Sequence, residues 1–210
     1  MAKPIRQARF RRPPGSTELF LVRHGESEPA VPGQAFPLVD GHGDPNTSPA
    51  YTEAVTALYT LSYTVRAIAK SDLGRVHTVG PLEGLWSADD PAVFVSREKS
   101  AWDWTMMISQ PAWITPDIIE AATQKMEKKS RTALDRVRLA TYAEGTSVQV
   151  LHVGSFDSEA PVLARLHDEY LPNHGLTFNG KHHEIYLSDA RRTDPAKLRT
   201  ILRQPVASAS

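Results

Sequence analysis

The segment Asn179-Gly-Lys-His-His-Glu-Ile-Tyr-Leu-Ser-Asp189 has the alternation of a β-strand built around one carboxylate. Residues two apart in a strand share a face, so we expect Glu184 beside His182 and Tyr186. A glutamate on a half-buried strand is disfavoured unless it is paired or functional. This segment therefore predicts a strand of the fold and a candidate catalytic residue, Glu184.

A second strand-like segment, Trp102-Asp-Trp-Thr-Met-Met-Ile108, places large apolar side chains on one face. Aromatic residues at this spacing most often form a core, but rings around an acid can instead hold a planar or cationic ligand. Methionine adds adaptable surface to such a pocket. The side chains predicted to bind a ligand together with Glu184 are Trp86, Trp102, Trp104, Met106, Tyr142, Tyr186 and His182.

The composition limits the classes of protein that the chain can represent. Lys and Arg total 24, and Asp and Glu total 24, so no net charge attracts nucleic acid or an acidic membrane. The absence of cysteine excludes disulfides and thiolate metal sites. No apolar run reaches the roughly 18 residues of a membrane span, and the histidines lack metal-ligand spacing. We expect a cytoplasmic monomer or weak dimer that has no metal or cofactor and binds a small molecule.

Capping and turn residues divide the chain into alternating elements. Residues 1–16 form a basic segment that we predict to be a disordered tail, and residues 207–210 form a second, short tail. Ser48 and Pro49 begin a long amphipathic helix that Gly74 ends. The predicted order is strand, helix, strand, strand, and then the same order again with additions. This order indicates an α+β fold with antiparallel sheet and a cleft between two halves.

A short N-terminal segment favours a different function. Leu21-Val-Arg-His-Gly-Glu-Ser27 closely resembles the opening motif of the histidine phosphatases. That resemblance implies that His24 is a phosphorylated nucleophile and that Arg23 holds the phosphoryl group. Arg75, in Ser71-Asp-Leu-Gly-Arg75, resembles the second arginine of that family. We predict a leader of this type over residues 17–35.

Residues 36–206 strongly resemble the GyrI-like small-molecule-binding family. The resemblance covers several long motifs, which are Asp40-Gly-His-Gly-Asp-Pro-Asn-Thr47, Ala57-Leu-Tyr-Thr-Leu-Ser-Tyr-Thr64, Pro81-Leu-Glu-Gly-Leu-Trp86, Trp102-Asp-Trp-Thr-Met-Met107 and Gly180-Lys-His-His-Glu-Ile-Tyr-Leu-Ser-Asp189. It implies two strand-helix-strand-strand modules, related by pseudo-twofold symmetry, whose antiparallel sheets surround a central cleft.

The same resemblance implies a function. Members of the family bind diverse compounds, often flat and cationic, through an acid inside an aromatic pocket, and some are effector domains of transcription regulators. Stand-alone members of the subgroup that this chain resembles are associated with hydrolysis of cyclopropane-bearing DNA-alkylating metabolites. By this resemblance Glu184 is the pocket acid, Glu83 is a second acid, and the candidate walls are Trp86, Trp102, Trp104 and Tyr186.

Three functions are therefore open at this point. The first is binding of bulky planar or cationic molecules with hydrolysis of cyclopropane-bearing electrophiles, which would serve detoxification or multidrug resistance. The second is a histidine phosphatase that uses His24. The third is a drug-sequestering or sensing module without catalysis.

Overall fold

A computed structural model of the protein describes residues 20–22, 34–90, 92–127 and 134–209. The predicted tail over residues 1–16 and most of the predicted leader over residues 17–35 lie outside the described residues. Arg23 and His24 are among the residues outside, so the structure carries no information on the phosphatase-like motif.

The strands form one antiparallel sheet. Eight of them follow the order β1-β6-β9-β8-β3-β4-β2-β5, and β7 pairs with the end of β9. The strands are β1 (Phe20–Val22), β2 (Gln34–His42), β3 (Leu82–Ser87), β4 (Asp103–Ile108), β5 (Arg138–Tyr142), β6 (Ser147–Val153), β7 (Leu176–Phe178), β8 (His182–Tyr186) and β9 (Arg199–Ser208).

The helices lie between the strands in the chain. They are α1 (Pro49–Leu73), α2 (Ala92–Ser96), α3 (Pro116–Glu127), α4 (Ala160–Ala164) and α5 (Leu171–Asn173), and a π-helical stretch (Arg165–Tyr170) joins the last two. Short 3-10 turns occur at Lys99–Ala101, Leu134–Arg136, Phe156–Ser158 and Pro195–Lys197. None of the helices in the described part of the chain has the length and apolar character needed to cross a membrane.

Helix α1 begins and ends where its sequence predicts. The Ser48 side chain accepts a hydrogen bond from the backbone N–H of Tyr51, and Pro49 occupies the first turn. Gly74 ends the helix in the left-handed region, with φ 62°. The residues buried along one stripe of the helix are Ala54, Ala57, Leu58, Leu61, Ser62, Val65, Ile68 and Ala69. This stripe packs on the sheet and on α3.

The predicted α+β class and antiparallel pairing are confirmed, with one difference. The strands form a single continuous sheet, because β3 pairs directly with β8 and joins the two halves. Strand-helix-strand-strand order occurs in β2-α1-β3-β4. The pseudo-twofold relation between two modules stays a prediction.

The two faces of the sheet carry different side chains. In the β3–β8 pair, Gly84 lies opposite Glu184 and Glu83 lies opposite Ile185. Since alternate residues point to opposite faces, Glu184 and Glu83 are on different faces. Residues of α1 pack on the face of Glu184, which we call the helix face. We call the other side the second face.

Four buried charged side chains form a network on the second face. His183 places Nε2 3.0 Å from Glu83 and Nδ1 2.8 Å from Glu144, and Arg203 lies 2.7 Å from the second oxygen of Glu144. Burial alone would lower the pKa of His183, but its hydrogen bonds to the two carboxylates outweigh burial and raise it. We infer that the ring is an imidazolium that ties β3, β8 and β9 to the segment before β6.

Replacing His183 by Leu should lower the free energy of unfolding by about 3–5 kcal/mol near neutral pH, because two buried carboxylates lose the cation they share. Denaturant titration measures the change, and His174→Leu, at an exposed imidazole, is the control with a much smaller effect. A raised folded pKa means that the stabilisation is complete below the ordinary value of 6.5 and is lost as pH rises through the folded value. The difference in free energy of unfolding between the parent and the variant should therefore become smaller above pH 6.5. A difference that does not change with pH would show that the ring is not protonated.

Candidate functional site

Glu184 lies at the centre of the sheet, on its helix face, with Gly84 on one side and Leu202 of β9 on the other. Its side chain is 14% exposed. The Trp86 indole N–H donates to the Tyr186 oxygen at 3.1 Å, and the Tyr186 hydroxyl is hydrogen-bonded to Glu184. Since an indole can only donate, the tyrosine proton is free to point at the carboxylate. The chain of donors from Trp86 through Tyr186 therefore ends on Glu184 as acceptor.

Gly84 makes room for this hydrogen-bonded chain. A Cβ at residue 84 would lie 2.9 Å from the Trp86 ring nitrogen, 3.1 Å from the Tyr186 oxygen and 3.3 Å from Met106 Cε. Gly41 has a similar role on β2, where a Cβ would lie 2.1 Å from the Trp104 ring. Both glycines allow aromatic side chains to lie flat over the sheet.

An inner group of rings surrounds the acid. Tyr51, in the first turn of α1, lies 5.2 Å from Trp104 edge to face and 6.4 Å from Trp86 in a stacked arrangement. Burial, together with the negative charge of Glu184, raises the pKa of Tyr51 well above its ordinary value. Trp86 and Trp104 are 6% and 1% exposed. These rings are thus both part of the core and walls beside Glu184.

An outer group of rings comes from the connecting segments. Trp102 packs edge to face on Trp86 at 5.7 Å, and Phe94 of α2 lies 5.2 Å from Trp102. Phe156 lies 5.7 Å from Tyr186, also edge to face. Trp102 and Phe156 each cover a ring nearer to Glu184, and Phe94 packs outside Trp102, so the carboxylate has a second layer of aromatic rings.

An ion pair connects the two segments that carry the outer rings. Arg97, just after α2, pairs with Asp157 in the turn Phe156–Ser158, and Lys99 lies 4.0 Å from the same carboxylate. Arg97 has φ 58°, in the left-handed region that side chains other than glycine seldom adopt. The exposed ion pair therefore holds a strained residue across the outer edge of the site.

A second carboxyl group, Glu159, interacts with Glu184. It is 5% exposed and is hydrogen-bonded to Thr200 of β9. Burial, reinforced by the negative charge of Glu184, raises the pKa of Glu159 to about 9. Glu159 therefore keeps its proton near pH 7. A buried carboxyl group that stays protonated beside a second carboxyl group is typical of acid–base sites.

Two histidines complete the helix-face cluster. His182 Nε2 lies 3.6 Å from Glu184 Oε1. His167, in the π-helical stretch, lies edge to face with His182 at a ring separation of 6.1 Å. Burial and the neighbouring His182 lower the pKa of His167 to about 4, so this ring is neutral at pH 7.

The structure brings most, but not all, of the predicted site residues together. Those that share the helix-face cluster with Glu184 are Trp86, Trp102, Trp104, Met106, Tyr186 and His182. Glu83 and Tyr142 do not join them, because Glu83 is in the network with His183 and Tyr142 packs on Phe36 and His183 on the second face. Arg75 stacks over Trp113 just beyond α1.

Three residues of the cluster escaped sequence reasoning. Tyr51 reads as a core position of the first helix, and His167 and Glu159 fall in a segment whose only clear signal is helix periodicity. Nothing local marks them, because they reach Glu184 only when their helices pack on the sheet. In the described residues no three His, Asp or Glu side chains are arranged to hold a metal ion.

Two cavities in the described part of the chain have linings that do not include Glu184. One, of about 610 Å³, lies between α1 and α3. The other, of about 440 Å³, lies on the second face and is lined by Tyr142, among others.

Aromatic and apolar side chains around a few polar groups, as found here, are typical of sites that bind small organic molecules. The family profile described as "GyrI-like small molecule binding domain" matches residues 52–207, and the chain belongs to this family. The match begins later than the predicted domain start at residue 36 and does not include the Arg23-His24 motif.

Solved structures agree with this assignment. An uncharacterized conserved protein from Listeria innocua is 35% identical, with a TM-score of 0.77, over 90% of this chain and 91% of that one. A structure titled as a hydrolase from Listeria innocua is 34% identical, with a TM-score of 0.72, over the same shares. The C-terminal domain of EcmrR shares the fold at 12% identity, with a TM-score of 0.54, over 92% of this chain and 99% of that one. The comparison with curated proteins gives no match.

Gly84→Ala should disrupt the Trp86–Tyr186 hydrogen bond, because the added methyl group would meet both partners. We expect the free energy of unfolding to fall by about 1–3 kcal/mol and the tryptophan emission to shift. Gly80→Ala is the matched control, since the side-chain atom that its methyl group would meet, at 2.9 Å, is the Ser109 hydroxyl, which can rotate away. Equal effects at the two positions would contradict the close approach at Gly84.

Glu159→Gln should change how stability depends on pH. The pKa of the Glu159 carboxyl group is raised in the folded protein. Below pH 4.5 this group is protonated in both the folded and the unfolded chain, and between pH 4.5 and about 9 it is deprotonated only in the unfolded chain. Over that window the parent should lose stability relative to the variant by up to about 1.4 kcal/mol per pH unit. Denaturant unfolding of both proteins from pH 5 to 8.5 measures the difference, and parallel curves would show that Glu159 is ionised in the native state.

Proposed function

We propose that the protein binds bulky planar or cationic molecules at the Glu184 cluster and hydrolyses electrophilic cyclopropanes held there. The observation that carries the proposal is the carboxyl pair, with Glu159 protonated and the hydrogen-bonded Glu184 an acceptor. Family membership supports small-molecule binding, and a relative titled as a hydrolase supports addition of water.

The aromatic surround suits the binding step. A cationic group near a ring face gains roughly 0.5–2 kcal/mol per well-placed ring. Glu184 adds a nearby negative charge that burial strengthens. The same rings exclude bulk water from a strained ring, so that only a water positioned by the carboxyl groups is close enough to react.

The two carboxyl groups divide the chemistry of hydrolysis. Glu184 accepts a proton from water as the water oxygen bonds to a cyclopropane carbon. The C–C bond breaks, and its electron pair moves through the conjugated system to a carbonyl oxygen, which takes the proton of Glu159. The product is the substrate plus one water. One proton transfer from Glu184 back to Glu159 restores the starting state.

Glu184→Gln and Glu159→Gln should each reduce turnover of an activated cyclopropane conjugated to an aromatic ketone by roughly 10²–10⁴-fold. Mass spectrometry of the ligand after incubation measures the gain of water. Glu120→Gln is the control, because Glu120 is an exposed carboxylate on α3. Full turnover in either site variant would remove that residue from the mechanism.

The same experiment distinguishes catalysis from binding alone. If the parent protein binds a cationic aromatic dye in a Glu184-dependent way but returns the cyclopropane unchanged, the site is a sequestering or sensing module. If the dye does not bind, the assignment of the ligand site to the Glu184 cluster is wrong.

A further inference from the structure

Several buried polar atoms without a hydrogen-bond partner converge on Glu184. In the described residues they are both ring nitrogens of His182, Nε2 of His167 and one oxygen of Glu159. His182 lies 3.6 Å from Glu184, His167 packs on His182, and the charge of Glu184 acts on Glu159. The indole nitrogen of Trp104 on the same face also lacks a partner, and the other four atoms belong to residues that interact with Glu184 directly or through His182.

Such atoms destabilise the fold, because a buried donor or acceptor without a partner has given up its hydrogen bonds to water and has gained none within the protein. His77 shows that one orphaned imidazole does not by itself make a site. Both of its nitrogens also lack partners, but it packs on Trp113, and its neighbouring charge is Arg66. The difference at His182 is the convergence of His167 and two carboxyl groups.

The backbone at His167 is also unusual. Six residues, Arg165–Tyr170, are π-helical between α4 and α5. Such stretches are rare and are frequently found at functional sites, because they turn a side chain away from the direction that an α-helix would give it. Here the altered helix brings His167 against His182 on β8.

We propose that His167 and His182 form a polar subsite that binds a neutral hydrogen-bonding group, of the carboxamide type, at one end of an aromatic ligand. The subsite rests on the proposed function, because His182 adjoins Glu184 in the same helix-face cluster. A neutral imidazole such as that of His167 offers one N–H donor and one acceptor nitrogen, which complement the C=O and N–H of an amide. His167 is neutral at pH 7, so a carboxylate at this end of the ligand gains no ion pair from it.

A matched pair of probes tests the subsite: a planar cationic acridinium dye and the same dye with a primary carboxamide. The parent protein should bind the carboxamide dye at least roughly ten-fold more tightly. His182→Phe and His167→Phe should each remove most of this preference, measured as the ratio of the two dye affinities within each variant. His182→Gln, which keeps a donor and an acceptor, should retain part of the preference.

Thermal unfolding of the ligand-free proteins supplies a second readout. Replacing an unsatisfied imidazole by a phenyl ring should leave the melting temperature unchanged or raise it, because a desolvated polar group is removed. His77→Phe is the matched control, since it removes an imidazole that also lacks partners and should leave the affinities for both dyes unchanged.

Each outcome has a distinct meaning. A melting temperature that falls in the Phe variants, with the carboxamide preference intact, would show that the histidines have structural partners and would overturn the subsite. Equal parent affinity for the two dyes would also overturn it, while leaving the Glu184 site in place. Binding of neither dye would instead count against the proposed function itself.

Discussion

The antiparallel pairing of β3 with β8 joins the two halves of the sheet, and the site depends on its register. Gly84 lies opposite Glu184 in this pairing, so the smallest side chain lies next to the acid and the Trp86–Tyr186 hydrogen bond crosses above it. A one-residue shift of β8 against β3 would move Glu184 to the second face and bring His183 to the helix face. The buried imidazolium of His183, bonded to Glu83 and Glu144, opposes that shift because its partners are fixed by the same register.

The two carboxyl groups of the cluster, Glu184 and Glu159, differ in their interactions because their surroundings differ. Glu184 accepts a hydrogen bond from Tyr186, whereas Glu159 is buried near a negative charge and keeps its proton. The cluster also leaves imidazole nitrogens without partners, which a structure selected for stability alone would avoid. The buried carboxyl groups and the unpaired imidazole nitrogens thus lie together on the helix face. On the second face, in the described residues, the charged side chains of the His183 network are paired with one another.

Local signals in the sequence predict a large part of this arrangement. The cap residues Ser48 and Gly74 bound α1, and alternation in the β8 segment correctly places Tyr186 and His182 on the face of Glu184. Alternation along β3 alone places Glu83 on the face opposite to Trp86, but its contact with His183 depends on the pairing with β8, about a hundred residues away. Glu159 reaches the site only through the packing of α4, so no pattern near it in the chain distinguishes it from a surface acid.

The network on the second face has a mechanical consequence for the helix face. His183 and Glu184 are neighbours on β8, and the strand is held from behind by ion pairs to Glu83 and Glu144. The strand beneath the Glu184 cluster is therefore firmly held. The outer rings come from the α2 segment and the turn Phe156–Ser158, which are linked where Asp157 meets Arg97 and Lys99. Under the proposed function, these loops would accommodate ligands of different shape, and the sheet would supply the fixed reference against which they adjust.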